Sequence, residues 1–292
     1  MNVKDNQKEL LLTIENKLAE ILGNCSAPKV LVDAMRHSLL DAGKRVRPML
    51  TLAFCEAGGG DVNNALNAAC AVEMIHTYSL IHDDLPCMDN DDFRRGKPSC
   101  HKAFGEATAL LAGDALLTMA FEVLMDSDGV PADMLLASCR ELAHLAGEYG
   151  MIGGQVIDLQ SEGKVISLSE LMAMHKGKTC ALIESACVLG CLSAGKDGAE
   201  LAAAREYAYN LGMAFQIVDD ILDVEGDPLL LGKPVASDAQ NSKNTYVTLL
   251  GIDKAREEAA AYTDRAMGSL SIFGGRAEFL REFAQKLGKR IF

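Results

Sequence analysis

What this chain lacks excludes several function classes. Basic residues are outnumbered, with 28 Lys and Arg against 41 Asp and Glu, for a formal charge of −13. Nucleic acid is therefore not expected as the main partner, because phosphate backbones need a basic face. A small anionic ligand remains open, since local cations decide that. Among nine cysteines there is no CxxC pair, so neither a zinc knuckle nor a thioredoxin-like site is supported. Most cysteines sit in apolar, Ala-rich sequence such as residues 68–72, and read as small core residues of a protein in the reducing cytoplasm. No run of about 20 uninterrupted apolar residues occurs, so no membrane span is expected. Residues 1–22 are amphipathic and carry acids, which predicts a helix and not a signal peptide. Low-complexity tracts, long linkers and repeats are absent, and residues 1–292 read as one domain.

Proline is also scarce. Its 7 copies, Pro28, Pro48, Pro86, Pro98, Pro131, Pro228 and Pro234, fall at apparent breaks. Between them run long segments with helical spacing of apolar residues, among them 65–81, 107–125 and 201–224. Alternating strand patterns are few. The expected fold is all-α, on the order of ten or more helices packed around a central bundle.

Two aspartate-rich segments stand out against the apolar background. The first is Asp83-Asp84-Leu85-Pro86-Cys87-Met88-Asp89, running on through Asp91 and Asp92 to Arg94 and Arg95; the second is Asp219-Asp220-Ile221-Leu222-Asp223. Each follows a strongly apolar stretch and so sits near the C-terminal end of a buried helix. Asp219 and Asp223 share one helical face, where like charges repel unless a cation lies between them. Asp83 and Asp89 do not share a face on an ideal helix. Pro86 is expected to break the helix and let the loop fold Asp89 back over its end. An EF-hand fails, because the sixth residue from Asp89 is Arg94 where a calcium loop needs Gly. Mg²⁺ takes oxygen ligands and commonly joins one or two carboxylates to substrate phosphates. Lys and Arg cluster at 44–47, 94–97 and 176–178, as phosphate recognition requires. GxSxG, HExxH and Walker A patterns are absent; Gly177-Lys178-Thr179 lacks the first Gly of a Walker loop, Met172 standing there.

These residues resemble the trans-prenyl diphosphate synthases, most closely the bacterial-type farnesyl diphosphate synthases, over nearly the whole chain. The markers are Gly-Lys-Arg-Val-Arg-Pro at 43–48, residues 73–86 ending in His-Asp-Asp-Leu-Pro, and residues 89–98. Leu-Ala-Gly-Asp-Ala-Leu-Leu at 111–117, Gly-Gly-Gln at 153–155 and His-Lys-Gly-Lys-Thr at 175–179 follow. Residues 215–223, Leu-Gly-Lys at 231–233 and Lys-Asn-Thr-Tyr at 243–246 complete the series. The four residues between Asp84 and Asp89 resemble the bacterial and plastid type.

The resemblance implies that Asp83, Asp84, Asp89, Asp219, Asp220 and Asp223 bind Mg²⁺, three ions in the family, with Mn²⁺ as a substitute. Arg94, Lys178 and Lys233 would complete the charge shell around an allylic diphosphate. Lys44, Arg47, His76 and Arg95 would hold isopentenyl diphosphate, and Thr179 and Gln216 would face the allylic cation. The implied reaction is ionisation, condensation and elimination, giving farnesyl diphosphate. Tyr78 and Ser79, five and four residues before Asp83, would form the chain-length floor, Tyr78 as a bulky stop. Residues 70–77 and 85–89 also resemble plastid geranylgeranyl synthases, which makes a twenty-carbon product the runner-up. A non-catalytic partner subunit is disfavoured by two intact aspartate motifs. A class I terpene cyclase would leave Lys44, Arg47, His76 and Arg95 without a job. A homodimer is implied by the resemblance alone.

Overall fold

The computed structural model describes residues 3–41, 43–225 and 244–288. Lys233 therefore lies outside the described residues. The architecture is all-α, as expected. The helices are α1 (Val3–Gly23), α2 (Lys29–Leu39), α3 (Val46–Ala57), α4 (Leu66–Asp83), α5 (Cys100–Phe104), α6 (Glu106–Met125), α7 (Ala132–Ala146) and α8 (Met151–Ser161). They continue with α9 (Leu168–His175), α10 (Ala181–Ser193), α11 (Gly198–Glu225), α12 (Tyr246–Leu250), α13 (Ile252–Ser269) and α14 (Glu278–Gly288).

The core forms around helices that are apolar on all sides. A helix with no polar face must be surrounded, and α10 is the clearest case, with every residue buried except half-buried Glu184. It packs against α3, α4, α7 and α11, and so lies between the two helices that carry the aspartate motifs. Helix α4 is sheathed by α6, α3 and α10, while α11 runs along α13. Six cysteines are buried among these elements, Cys25 and Cys139 are half-buried, and Cys87 is exposed; all nine are free thiols.

Helix ends follow the local chemistry. Asp84 closes α4, and Pro86 follows in the next turn as the sequence predicts. Ser167 and Glu170 form a reciprocal capping box at the start of α9. Between α9 and α10 the chain widens into a π-helical turn, Lys176–Cys180, a feature that frequently marks functional sites.

Two features depart from expectation. A small antiparallel hairpin, β1 (Phe93–Arg94) and β2 (Lys97–Pro98), interrupts the helices. Its two turn residues, Arg95 and Gly96, both have positive φ, as a tight two-residue hairpin with matching twist requires. Secondly, α6 is long and apolar enough to cross a membrane by length and composition, although no span is expected from the sequence. It buries Ala109, Ala112, Leu116, Ala120, Val123 and Leu124, and packs along α4. Leu110, Leu111 and Met125 remain exposed on it.

Candidate active site

The first aspartate motif is shaped by a helix end. After α4, the Asp89 N–H donates to the Asp83 carbonyl at 2.8 Å, and the Asn90 N–H donates to the Leu85 carbonyl at 3.1 Å. The loop thus returns over the helix terminus, as the break at Pro86 predicts. Burial, together with the neighbouring Asp89 and Asp84 charges, pushes the Asp83 carboxyl up to about 6. Gln155 of α8 donates its amide N–H to Asp83 Oδ1 at 3.1 Å and fixes its orientation.

Asp84 behaves differently from Asp83. Its side chain is buried and ion-paired with Arg94, whose Nε donates to Asp84 Oδ1 at 3.0 Å. Arg94 also reaches Asp91 at 3.3 Å. The hairpin turn then sends its neighbour, Arg95, elsewhere. The Arg95 guanidinium lies against Gly43, where a Cβ would meet its Nη1 at 2.9 Å. Glycine at 43 lets the guanidinium lie directly against the backbone of that loop; a Cβ would displace it.

The second motif stays within a continuous helix. Asp219 is half-buried, whereas Asp220 and Asp223 are buried. Asp220 Oδ2 accepts the Tyr246 N–H at 2.7 Å and so anchors the start of α12 on α11. Asn244 ties the same segment to residues 164–166, donating to the Lys164 carbonyl at 2.8 Å and accepting the Ile166 N–H at 3.2 Å.

Between the motifs opens a cavity of about 720 Å³, a size suited to a small-molecule ligand. Asp89, Asp91, Asp158, His175, Lys178, Thr179, Gln216 and Asp220 are among its lining residues. The π-helical turn places Lys178 against Asp158 of α8, with which it forms an ion pair. A Cβ on Gly154 would sit 2.0 Å from the Lys178 backbone nitrogen, so only glycine permits this close crossing of α8 and the turn. Thr179 Oγ1 donates to Gln216 Oε1 at 2.6 Å. Burial holds the His175 imidazole down at about 4, and it is neutral at physiological pH.

A second cluster forms beside α4, where Arg47, His76 and Arg95 interact through space. Lys44 is exposed on the adjoining loop. Arg47 Nε is buried without a hydrogen-bond partner. Burial, opposed by Glu73 and reinforced by Arg95, lowers the Arg47 pKa. Burial beside Arg47 and Arg95 holds His76 well below the ordinary histidine range. Arg47, half-buried with an orphaned Nε, faces the exposed Arg95 across a neutral His76, and two repelling guanidiniums with a free donor have an anion as their complement.

Of the sequence-selected residues, Asp89, Lys178, Thr179, Gln216 and Asp220 line the cavity, whereas Asp83, Asp84, Arg94, Asp219 and Asp223 are not among its lining residues; Arg47, His76 and Arg95 interact with one another, and Lys44 is exposed on the loop before Arg47. Tyr78 and Ser79 are not among the lining residues of the cavity. Tyr78 is buried one turn before the motif, with its ring edge-on to His82 at 5.7 Å and its hydroxyl without a partner. His82 in turn contacts the Leu110 carbonyl of α6 at 3.0 Å. Ser79 Oγ donates to the His76 carbonyl at 2.8 Å. Sequence reasoning assigned no role to Gln155 or Asp158. An acid three residues after a glutamine on an apolar helix was the available signal.

Among the described residues no group of three or more His, Cys, Asp and Glu side chains forms a ready metal cage. The donor set nevertheless fits Mg²⁺, which keeps several waters and takes few protein carboxylates. Burial first, and then the Asp89 and Asp84 charges, raise the Asp83 pKa despite the nearby cations Lys178 and Arg94, a position that a bound divalent cation would relieve.

The pattern described as polyprenyl synthetase matches residues 28–271. A chloroplastic geranylgeranyl pyrophosphate synthase of Capsicum annuum is 50% identical over 251 residues, covering 85% of this chain and 68% of that protein. A farnesyl diphosphate synthase of Geobacillus stearothermophilus is 45% identical over 272 residues, covering 92% of each. Among solved structures, an apo FPP/GFPP synthase from Zymomonas mobilis superposes with a TM-score of 0.88 at 38% identity, covering 98% of this chain and 99% of that one.

Proposed function

The chain belongs to the polyprenyl synthetase family and is a trans-prenyltransferase, and from that premise we propose that it condenses isopentenyl diphosphate with dimethylallyl or geranyl diphosphate to farnesyl diphosphate. One observation carries the reading: the chain holds two groups of phosphate-binding side chains, Lys178 in a cavity that Asp89 and Asp220 also line, and Arg47 beside His76 and Arg95. That asymmetry suits two diphosphates of unequal fate, one that leaves and one that stays.

Asp83, Asp89 and Asp219 would hold the divalent metal, with Asp84, Asp220 and Asp223 in support; three Mg²⁺ ions are expected, with Mn²⁺ as a substitute. Bound there, the metal would supply positive charge to the leaving diphosphate. Arg94 and Lys178, with Lys233 outside the described residues, would neutralise charge that grows as the allylic C–O bond breaks. The electron pair leaves with the diphosphate, and an allylic cation remains. The hydrogen-bonded pair of Thr179 and Gln216 presents oxygen dipoles to that cation. Lys44, Arg47, His76 and Arg95 hold the second substrate so that its double bond attacks the cation. A proton is then lost to the released diphosphate, and no enzyme nucleophile takes part.

Fifteen carbons is favoured because Tyr78, a bulky side chain about one turn before Asp83 and edge-on to His82, would stop a chain growing along α4. Twenty carbons is the second reading, favoured by the likeness to the Capsicum annuum enzyme. A homodimer fits the apolar side chains left exposed on three helices, Leu110 and Leu111 of α6, Leu136 of α7, and Ile152 and Val156 of α8. The continuous apolar cluster from Leu10 to Leu287 fits a single domain over residues 1–292. Nine free thiols fit a reducing, cytoplasmic setting. The test is a product assay with Mg²⁺, isopentenyl diphosphate and either allylic starter, sized after dephosphorylation. Farnesol is the expected product; geranylgeraniol would keep the enzyme class and move the chain-length floor. Absence of condensation by folded protein would overturn the synthase reading.

A further inference from the structure

The run Lys44-Arg45-Val46-Arg47 carries three cations, and the structure gives each a different environment. Lys44 is exposed, Arg47 is half-buried, and Arg45 is buried at 2% exposure. Arg45 is also held at φ 45° and ψ 39°. For a residue with a Cβ this left-handed conformation is strained. Something must hold Arg45 there, and its guanidinium shows what does.

All three guanidinium nitrogens are engaged. Nε donates to Glu15 Oε1 at 2.6 Å, and Nη1 donates to Glu73 Oε1 at 2.7 Å. Nη2 donates to Glu15 Oε2 at 3.3 Å, to the Leu39 carbonyl at 2.7 Å and to the Asp41 carbonyl at 3.1 Å. One side chain therefore ties α1, the end of α2 and α4 to the loop that carries Lys44 and leads to Arg47.

Glu73 is the acid that matters. It is buried at 2% exposure and attracts two arginines, Arg45 and Arg47. Only Arg45 has a hydrogen bond to it. Arg47 Nε has none, although it is buried. A buried carboxylate stripped of its partner seeks another cation, because an unpaired buried charge is costly. Arg47 is the cation already drawn towards it.

We propose that Arg45 is a positioning residue for isopentenyl diphosphate: by occupying Glu73 it keeps the Arg47 guanidinium available to that diphosphate. This rests on the two-diphosphate reading above. Arg45 touches neither substrate. It acts by satisfying the one buried acid that would otherwise claim Arg47.

The experiment is steady-state kinetics on the full chain with Mg²⁺, varying isopentenyl and geranyl diphosphate separately. Arg45→Met should raise KM for isopentenyl diphosphate by about tenfold or more, the scale of one lost charge-assisted contact, and leave KM for geranyl diphosphate nearly unchanged. Removing the acid as well, in Arg45→Met/Glu73→Gln, should restore most of the loss, because nothing then competes for Arg47. A merely structural role would not be rescued by that second change. Arg45→Lys keeps a cation on Glu73 while surrendering the Glu15, Leu39 and Asp41 contacts. Its melting temperature should fall while KM for isopentenyl diphosphate stays near that of the parent. That variant also decides the matter if Arg45→Met does not fold. Equal rises in both KM values, no rescue by Glu73→Gln, or a KM for Arg45→Lys as high as for Arg45→Met would each overturn the proposal. Calorimetric binding of isopentenyl diphosphate to the same variants reads the same pattern without turnover. If the parent protein fails to condense, the synthase reading falls, and this binding series still decides the role of Arg45.

Discussion

The two aspartate motifs set out their carboxylates by different backbone routes. In the second, Asp219 to Asp223 stay on a continuous helix, and their spacing of four stacks them on one face. In the first, Asp83 and Asp89 are six apart and meet only because the chain turns back, with the Asp89 N–H on the Asp83 carbonyl at 2.8 Å. The second acid of each pair is bound to protein: Asp84 to Arg94, Asp220 to the Tyr246 N–H. The lesson is that a run of aspartates need not be a run of equivalent ligands. Asp83 and Asp219 are half-buried, and their neighbours are locked into the scaffold.

The strongest way to break this comparison is to remove one leading acid from each motif. Asp83→Ala or Asp219→Ala should lower turnover about 10³-fold, as loss of transition-state charge stabilisation does, with unchanged helical circular dichroism. Near-normal activity in either would end the metal assignment for that residue.

A smaller effect separates the second acids. Asp84→Asn weakens an ion pair to a part-exposed arginine and should cost about 1–2 kcal/mol in denaturant unfolding. Asp220→Asn keeps an oxygen for the Tyr246 N–H and should cost less than about 1 kcal/mol. Equal losses would show that the two positions are not held as the structure indicates.

Product length tests the ground beneath the first motif. Tyr78→Ala should shift products beyond farnesol after dephosphorylation, because the ring and its His82 brace no longer block the chain. An unchanged product would place the floor elsewhere.

The smallest expected effect is on stability without metal. The folded Asp83 carboxyl titrates at about 6, above an unfolded value of about 3.9. The folded state therefore binds more protons, and this group's contribution to stability is full below pH 4 and lost as pH rises through 6. Asp83→Asn should flatten that dependence and raise metal-free stability at neutral pH by roughly 1 kcal/mol, as relief of a strained active site does. Thermal melts of both proteins at pH 5 and 7.5 check it; parallel pH dependences would refute a raised Asp83 pKa in the folded protein.

Much of the site was legible in the sequence because it depends on short-range rules. Pro86 marked the end of α4, the spacing of Asp219 and Asp223 marked a shared face, and the apolar stretches before each motif marked buried helices. The Thr179–Gln216 hydrogen bond joins residues 37 apart, and only the resemblance placed them together. Gln155 and Asp158 were missed because their value lies in reaching Asp83 and Lys178 across a helix crossing that depends on Gly154. The exposed Cys87 and the small hairpin were likewise invisible to apolar patterning.

By itself, the sequence determined what is local: helix-forming periods, their breaks, and which residue types could hold metal and phosphate. The tertiary structure decided that Asp84 meets Arg94 and Asp220 the start of α12, which arginine turns inward, and that Arg47 and Arg95 come together beside His76. Helix spacing is set by a backbone repeat that any stretch of chain carries within itself. Charge pairing is set by distances between helices, and those distances exist only after the core has packed.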